Sequence, residues 1–436
     1  MENQLWLGTS KVDITPRHPL PLAGFALRHG KTFEGIRHPL HARIFAFRHR
    51  GADGGETTAL LVSADLLWWG SERVPALKRR IRRRWGIPEE AVLFHGTHTH
   101  SGPQTSDRFS ALLGEHDPDY IAQLEHWVME GISEAMNNQE PVSAEFGTGR
   151  SYLGVNRRLM VDGQCLAQAN KDGPFDPTLR VVRFWSDSGR AKAILVHYAC
   201  HPTVTPENAV SSEFCGVAMD ILERTIGGGV VSGYVQGWCG DINPVKRGQL
   251  FFDGTDKDVR RFARRLADSV LRVLGGPMRT LDASPLAAKS MTVEAPLQKL
   301  PTIEELRQWV DEPWVKGDWS RRLLAEPERL KPHLPLEITL LTLADGWRLL
   351  AANSEVVTEY GLYVKSIAGE GVWPIGYTNG MIGYVPTAKQ IDEGGYEALW
   401  STEYFLMPAP FAHEVEPMFR GAIRALVESE PKTSRH

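Results

Sequence analysis

The chain has 436 residues, 42% of them hydrophobic, enough to supply one large core or two ordinary ones. A formal net charge of -4 and a pI near 6.4 exclude a global electrostatic pull toward nucleic acid or an anionic membrane. No stretch reaches the ~20 apolar residues of a bilayer span, and the opening MENQLWLGTSKVDITPRHPL lacks a basic segment followed by a long apolar run.

We therefore expect a cytoplasmic protein with no integral membrane segment, no nucleic-acid partner and a small-molecule substrate. Cys165, Cys200, Cys215 and Cys239 show no C-x-x-C spacing, which argues against a structural zinc knot and fits reduced thiols.

In chain order, HARIFAFRH (41–49) alternates and reads as a strand, and the apolar run in TALLVSADLLWW (58–69), ending near Asp65, reads as a second, buried on both faces. Residues 73–85 are periodic and rich in helix formers, with the basic KRRIRRRW (78–85) as a solvated face and Gly86-Ile87-Pro88 as the stop. A short apolar run, 91–94, then leads into FHGTHTHSGP. From Asp119 a stripe of Tyr120, Ile121, Leu124, Trp127, Val128, Ile132, Ala135 and Met136 predicts a helix that Asp117 or Asp119 can cap.

Strands are expected at 180–185, 193–198 and 229–235, a helix at 256–273, a helical insertion near 301–332, and a hairpin over 336–353 turning at Asp345-Gly346. Neither an internal repeat nor a low-complexity linker is present. The expected fold class is α/β, with mixed β-sheets flanked by helices in αββα-like layers, as one large domain over 1–436.

FHGTHTHSGP holds His95, His98 and His100. If the chain stays extended beyond Phe94, His98 and His100 share a side while Thr97 and Thr99 face the other way, and His95 looks elsewhere. Two such imidazoles, roughly 6–7 Å apart at the backbone, reach one zinc ion, or divide metal binding and proton transfer between them. The stretch follows a strand's carboxyl end, where α/β sheets place their sites. ILVHYACHPT (194–203) carries His201 in the same context, and the Gly-rich turn GWCGDINP (237–244) carries Asp241.

HGTHTHSGP, with SKVDITP (10–16), GIRHPLHAR (35–43), LVSADLL (61–67), VNRR (155–158), CHPT (200–203) and GDINP (240–244), resembles in motif and order the neutral/alkaline, non-lysosomal ceramidase family. The resemblance implies a zinc-dependent amidohydrolase with one Zn2+ per chain, its ligands His98, His201, Glu355 (in NSEVVTEYG) and Tyr384 (in GYVPT). It implies proton transfer by His100, and Arg157 and Tyr396 as the groups that hold the oxyanion or the substrate's polar atoms. Asp65 and Asp241 are expected to orient ligand histidines from behind.

In three respects the chain departs from that pattern. Asn243 stands where the family has a serine, which removes a covalent serine route and leaves zinc-water hydrolysis untouched. The chain ends soon after the last motif, so no C-terminal immunoglobulin-like domain is expected, and no signal peptide is apparent. The leading expectation is hydrolysis of a linear amide, ceramide or another N-acyl compound. The alternatives are a hydrolase of the same scaffold acting on an amino sugar, ester or glycoside, and a degenerate member that binds without turnover. Trp68, Trp69, Trp373 and Trp400 are candidates to line a pocket, with core packing expected for most of them.

Overall fold

The computed structural model describes residues 3–247, 249–250 and 252–429. Its strands, in chain order, are β1 (Gln4–Asp13), β2 (His41–Arg50), β3 (Glu56–Ala64), β4 (Val92–Gly96), β5 (Glu140–Arg150), β6 (Gly154–Val161), β7 (Gln164–Asn170), β8 (Thr178–Ser186), β9 (Ala191–Tyr198) and β10 (Val231–Gln236). They continue as β11 (Ile242–Lys246), β12 (Gln249–Leu250), β13 (Arg279–Leu281), β14 (Ala287–Pro296), β15 (His333–Ala344), β16 (Trp347–Ala352), β17 (Glu355–Val356), β18 (Val372–Ile375) and β19 (Tyr384–Val385).

The largest sheet has the order β10-β9-β8-β5-β1-β2-β3-β4, with β13 paired to β5. Its ends are parallel pairs, β3 with β4 and β9 with β10, while its middle is antiparallel. A second sheet, β14-β15-β16-β18, lies on one face of the first. The Trp347 ring centroid lies 6.1 Å from Phe47 and 5.8 Å from Phe184, and Trp373 lies 6.2 Å from Phe146. Strand alternation puts Ser10 on the opposite face, where its hydroxyl donates to Gly131 O of the helix Pro118–Asn137 at 2.8 Å.

The helices Glu213–Ile226 and Asp256–Leu274 cover that outer face further along, and Val415–Glu428 covers the outside of the second sheet. The layers are helix, sheet, sheet, helix, as the α/β reading with αββα-like layers expects.

Local chemistry explains the element ends. The Asp117 carboxylate accepts the Tyr120 N–H at 2.8 Å, so it, rather than Asp119, caps the Pro118–Asn137 helix. A reciprocal pair between Thr255 and Asp258 starts the helix Asp256–Leu274. The insertion is helical at Ile303–Trp309 and Val315–Ala325, and it interrupts the connection between the adjacent antiparallel strands β14 and β15.

The strand in the apolar run 58–69 ends at Ala64, beside the expected end near Asp65, and Asp65 to Trp69 leave the sheet to meet the histidine loop. One expectation needs correction, because the basic run is not wholly solvated: in the helix Val74–Trp85, Lys78 and Ile81 face inward, and the Lys78 ammonium lies 3.8 Å from the Glu337 carboxylate. The tryptophans divide as core packing expects for most of them, with Trp68, Trp69 and Trp373 buried and Trp400 exposed.

Trp347 fills the space between the sheets and is fully buried. Trp347→Ala is expected to lower the unfolding free energy by about 3–5 kcal/mol, read as a shifted midpoint in denaturant unfolding.

Candidate metal and active site

The carboxyl ends of β4, β9 and β10 meet those of β16 and β18 at one seam between the sheets. His95 fastens it: its Nε2 accepts the Gln236 N–H at 2.9 Å, so its Nδ1 carries the proton and donates to Gly376 O at 3.0 Å. Asn379 adds a second fastening, exchanging bonds with the Phe94 backbone in both directions. His95 therefore faces away from His98 and His100, as its odd offset suggested, and ties the sheets together.

The assumption of an extended chain beyond Phe94 fails. β4 ends at Gly96, and His98 takes a left-handed backbone conformation with φ 68°. Its N–H donates to Leu66 O at 2.9 Å and its Nδ1 to Leu67 O at 3.0 Å, so the segment leaving β3 at Ala64 supplies the carbonyls that aim it. Gly96 permits this approach, because a Cβ there would lie 3.1 Å from Leu66 O and Leu67 O. The histidines still converge, with His100 Nε2 3.2 Å from His98 Nε2. Turn geometry produces that meeting, not strand alternation.

His201 is aimed in the same way, with Nδ1 donating to Cys239 O at 2.8 Å and Ile242 O at 3.1 Å. A carbonyl only accepts, so in both His98 and His201 the proton sits on Nδ1 and Nε2 presents its lone pair. Both lone pairs face Glu355 Oε2, at 3.2 Å from His98 and 3.1 Å from His201. Burial, reinforced by the Arg157 charge, pushes His201 down to about 4, so its imidazole is neutral near pH 7. Burial opposes ionisation of Glu355, and positive charge placed between it and the histidines would hold its carboxyl well below the usual range. Three acceptors thus converge with no proton among them, a donor set that suits a cation. Ring nitrogens of His98, His100 and His201 also lie within 4.8 Å of one another, a cluster able to hold a metal ion.

His100 is the least enclosed of the three imidazoles. Among the described residues its Nδ1 has no hydrogen-bond partner, and the Phe25 ring lies 5.0 Å from its own. Gly24, at φ +101°, packs so closely that a Cβ would sit 2.6 Å from His100 Nδ1. The Arg28 guanidinium holds the loop by donating to His100 O and, at 3.1 Å, to Ser101 Oγ.

β17 and β19 pair in parallel with Glu355 opposite Tyr384. The Tyr384 hydroxyl accepts from Arg157 Nη2 at 3.2 Å, and its ring lies 5.5 Å from that of Tyr396. Arg157 also donates to Asn243 Oδ1 at 2.8 Å and to Glu397 Oε1 at 2.6 Å. Asn243 thus holds the arginine from below.

Neither Asp65 nor Asp241 bonds to His98, His100 or His201. Asp65 accepts from Arg43, the His41 N–H and Thr97, fixing the exit of β3, and Asp241 accepts from the Thr358 N–H, Asn156 and Gln390, fixing the turn whose carbonyls hold His201. Their bonds reach the histidine loops through backbone.

The family model for neutral/alkaline non-lysosomal ceramidase, N-terminal, matches residues 5–261. The chain belongs to the neutral/alkaline non-lysosomal ceramidase family. Two solved structures share the fold. Neutral ceramidase from Pseudomonas aeruginosa is 20% identical with a TM-score of 0.75, over 100% of this chain and 76% of that one. A ceramidase complexed with C2 is 19% identical with a TM-score of 0.74, over 100% and 77%. No relative among the curated proteins matches the chain. Membership in the ceramidase family supports a hydrolase.

Sequence reasoning missed two residues in this ceramidase-family site. Tyr377 stacks on His98, and Glu397 pairs with both Arg157 and Arg158. Glu397 immediately follows the candidate Tyr396, but only the fold reveals its two guanidinium partners. Burial alone would raise the Glu397 carboxyl, and the two guanidinium groups overrule it and hold it below the usual range. Its contribution to stability is therefore present above the unfolded value of ~4.3 and fades as pH falls through the lower folded value. Glu397→Ala leaves two buried guanidinium groups without that partner and is expected to cost about 3–5 kcal/mol at pH 7, with the difference from wild type narrowing in unfolding measurements at acid pH.

Proposed function

We propose that the chain is a zinc-dependent amidohydrolase that cleaves a linear N-acyl amide, with a ceramide-like lipid as its substrate class and one zinc ion per chain. The observation that carries the metal reading is the convergence of the His98 and His201 Nε2 lone pairs on Glu355 Oε2 at 3.2 and 3.1 Å. In that place zinc supplies Lewis acidity, polarising a carbonyl oxygen and bringing the ionisation of water near neutral pH. Ceramide as the substrate class comes from the family and from the name of the Pseudomonas aeruginosa relative.

The chain's own residues divide the remaining work. His100 Nε2 sits beside the donor set, 3.2 Å from His98 Nε2, where it is placed to take a proton from water and return it to the leaving amine. Arg157, partly exposed and permanently charged, faces the same space with Tyr384 and Tyr396, so its guanidinium is the group to meet the developing oxyanion or a substrate hydroxyl. Tyr384 is the fourth candidate ligand, and Tyr396 is left to orient substrate. Asn243 offers no nucleophile, so this reading contains no covalent serine step. Free, buried Cys165, Cys200, Cys215 and Cys239 support a reducing, cytoplasmic compartment. Among the described residues no helix is long and apolar enough to cross a membrane.

Elemental analysis and two variants test the assignment. Wild type is expected to hold one zinc per chain, and less than about half an equivalent after metal-replete expression would favour a binding protein without turnover. His98→Ala is expected to lose zinc and amide hydrolysis together. His100→Ala is expected to keep zinc while kcat falls about 10²–10⁴-fold, and full activity in that variant would remove His100 from proton transfer. If acetylated sugars or esters are turned over and N-acyl lipids are not, the polar-substrate reading replaces this one.

A further inference from the structure

Tyr377 lies outside every motif that carried the family resemblance, yet it meets all three donor positions. Its ring stacks on His98 with centroids 3.9 Å apart and planes 24° from parallel. Its hydroxyl lies 3.5 Å from Glu355 Oε2, the oxygen both histidines face. The same hydroxyl lies 3.2 Å from Cys239 Sγ, and the Cys239 carbonyl receives the His201 Nδ1–H. The side chain is fully buried.

The backbone of Tyr377 is equally constrained. It adopts φ 55°, a conformation bulky residues avoid, while its N–H donates to Ser354 O and its carbonyl accepts the Gly96 N–H. One residue thus links the loop of His98 to the chain entering Glu355. A phenylalanine would keep the ring and lose only the hydroxyl. That group is a donor that brings a proton to a cluster of acceptors.

We propose that Tyr377 is the positioning residue of the metal site: its ring fixes the plane of His98 and its hydroxyl aims Glu355 Oε2 at the point the two histidines share. This rests on the metal reading of His98, His201 and Glu355. Groups that orient metal ligands from behind change affinity by about tenfold to a hundredfold when removed. Tyr377 does so for a neutral acceptor plane and for a carboxylate at once.

The test measures zinc affinity by chelator competition, alongside thermal unfolding of the metal-free protein. Tyr377→Phe keeps the stack and removes the hydroxyl, and it is expected to weaken zinc binding about tenfold with the metal-free melting midpoint unchanged. Tyr377→Leu removes both and is expected to bind zinc more weakly again. With Co2+ as a spectroscopic probe, Tyr377→Phe is expected to shift the visible absorption, a change that a merely structural role would not produce. Zinc affinity equal to wild type in Tyr377→Phe overturns the inference and leaves the metal reading standing. Loss of affinity accompanied by an equal loss of metal-free stability also overturns it, as general damage to the core. A wild-type protein that takes up no zinc removes the metal reading and this inference with it.

Discussion

The site depends on one constraint: two sheets packed face to face must present their strand carboxyl ends at the same point. Face-to-face packing fixes the spacing of sheets but not their relative slide, because apolar contact is non-directional. Directional bonds do that. His95, held between the Gln236 N–H and Gly376 O, and Asn379, held to Phe94, lock β4 and β10 of one sheet to the segment following β18 of the other. His98, His201 and Glu355 then converge because each leaves a strand end that is already pinned.

Once the ends are pinned, the chemistry follows from which atoms are left over. Backbone carbonyls consume the Nδ1 protons of His98 and His201, so their Nε2 atoms have nothing to donate. A carboxylate placed between them adds negative charge in a buried setting, where unpaired charge is costly. The arginine side of the site is balanced separately, since Glu397 binds Arg157 and Arg158 together. That arrangement spares Glu355 from a guanidinium partner, and its Oε2 stays directed at the histidines.

Local signals were the legible ones. Strand runs, the Asp117 cap, the hairpin at Asp345-Gly346 and the histidines at strand ends all depend on neighbours in sequence, so pattern alone located them. The left-handed turn at His98 was not legible, because a histidine gives no sign of positive φ and the extended reading reached the right pairing for the wrong reason. Asp65 and Asp241 could be flagged near the site, but whether they touch an imidazole or a backbone loop is a matter of tertiary geometry. Tyr377 and Glu397 were invisible because their partners lie far away in the chain: 279 residues separate Tyr377 from His98, and 240 separate Glu397 from Arg157.

Those separations bear on how the site comes into being. The family model ends at residue 261, whereas Glu355, Tyr377, Tyr384 and Tyr396 all follow it. Loop-closure entropy opposes contacts between distant residues until the intervening chain has folded. The 3.2 Å approach of His98 to Glu355 therefore carries the closure cost of the long chain between them, and the seam between the two sheets is what holds it. An ion that needs both residues would bind the folded chain in preference to the unfolded one, and that difference in affinity would add to the stability of the native state.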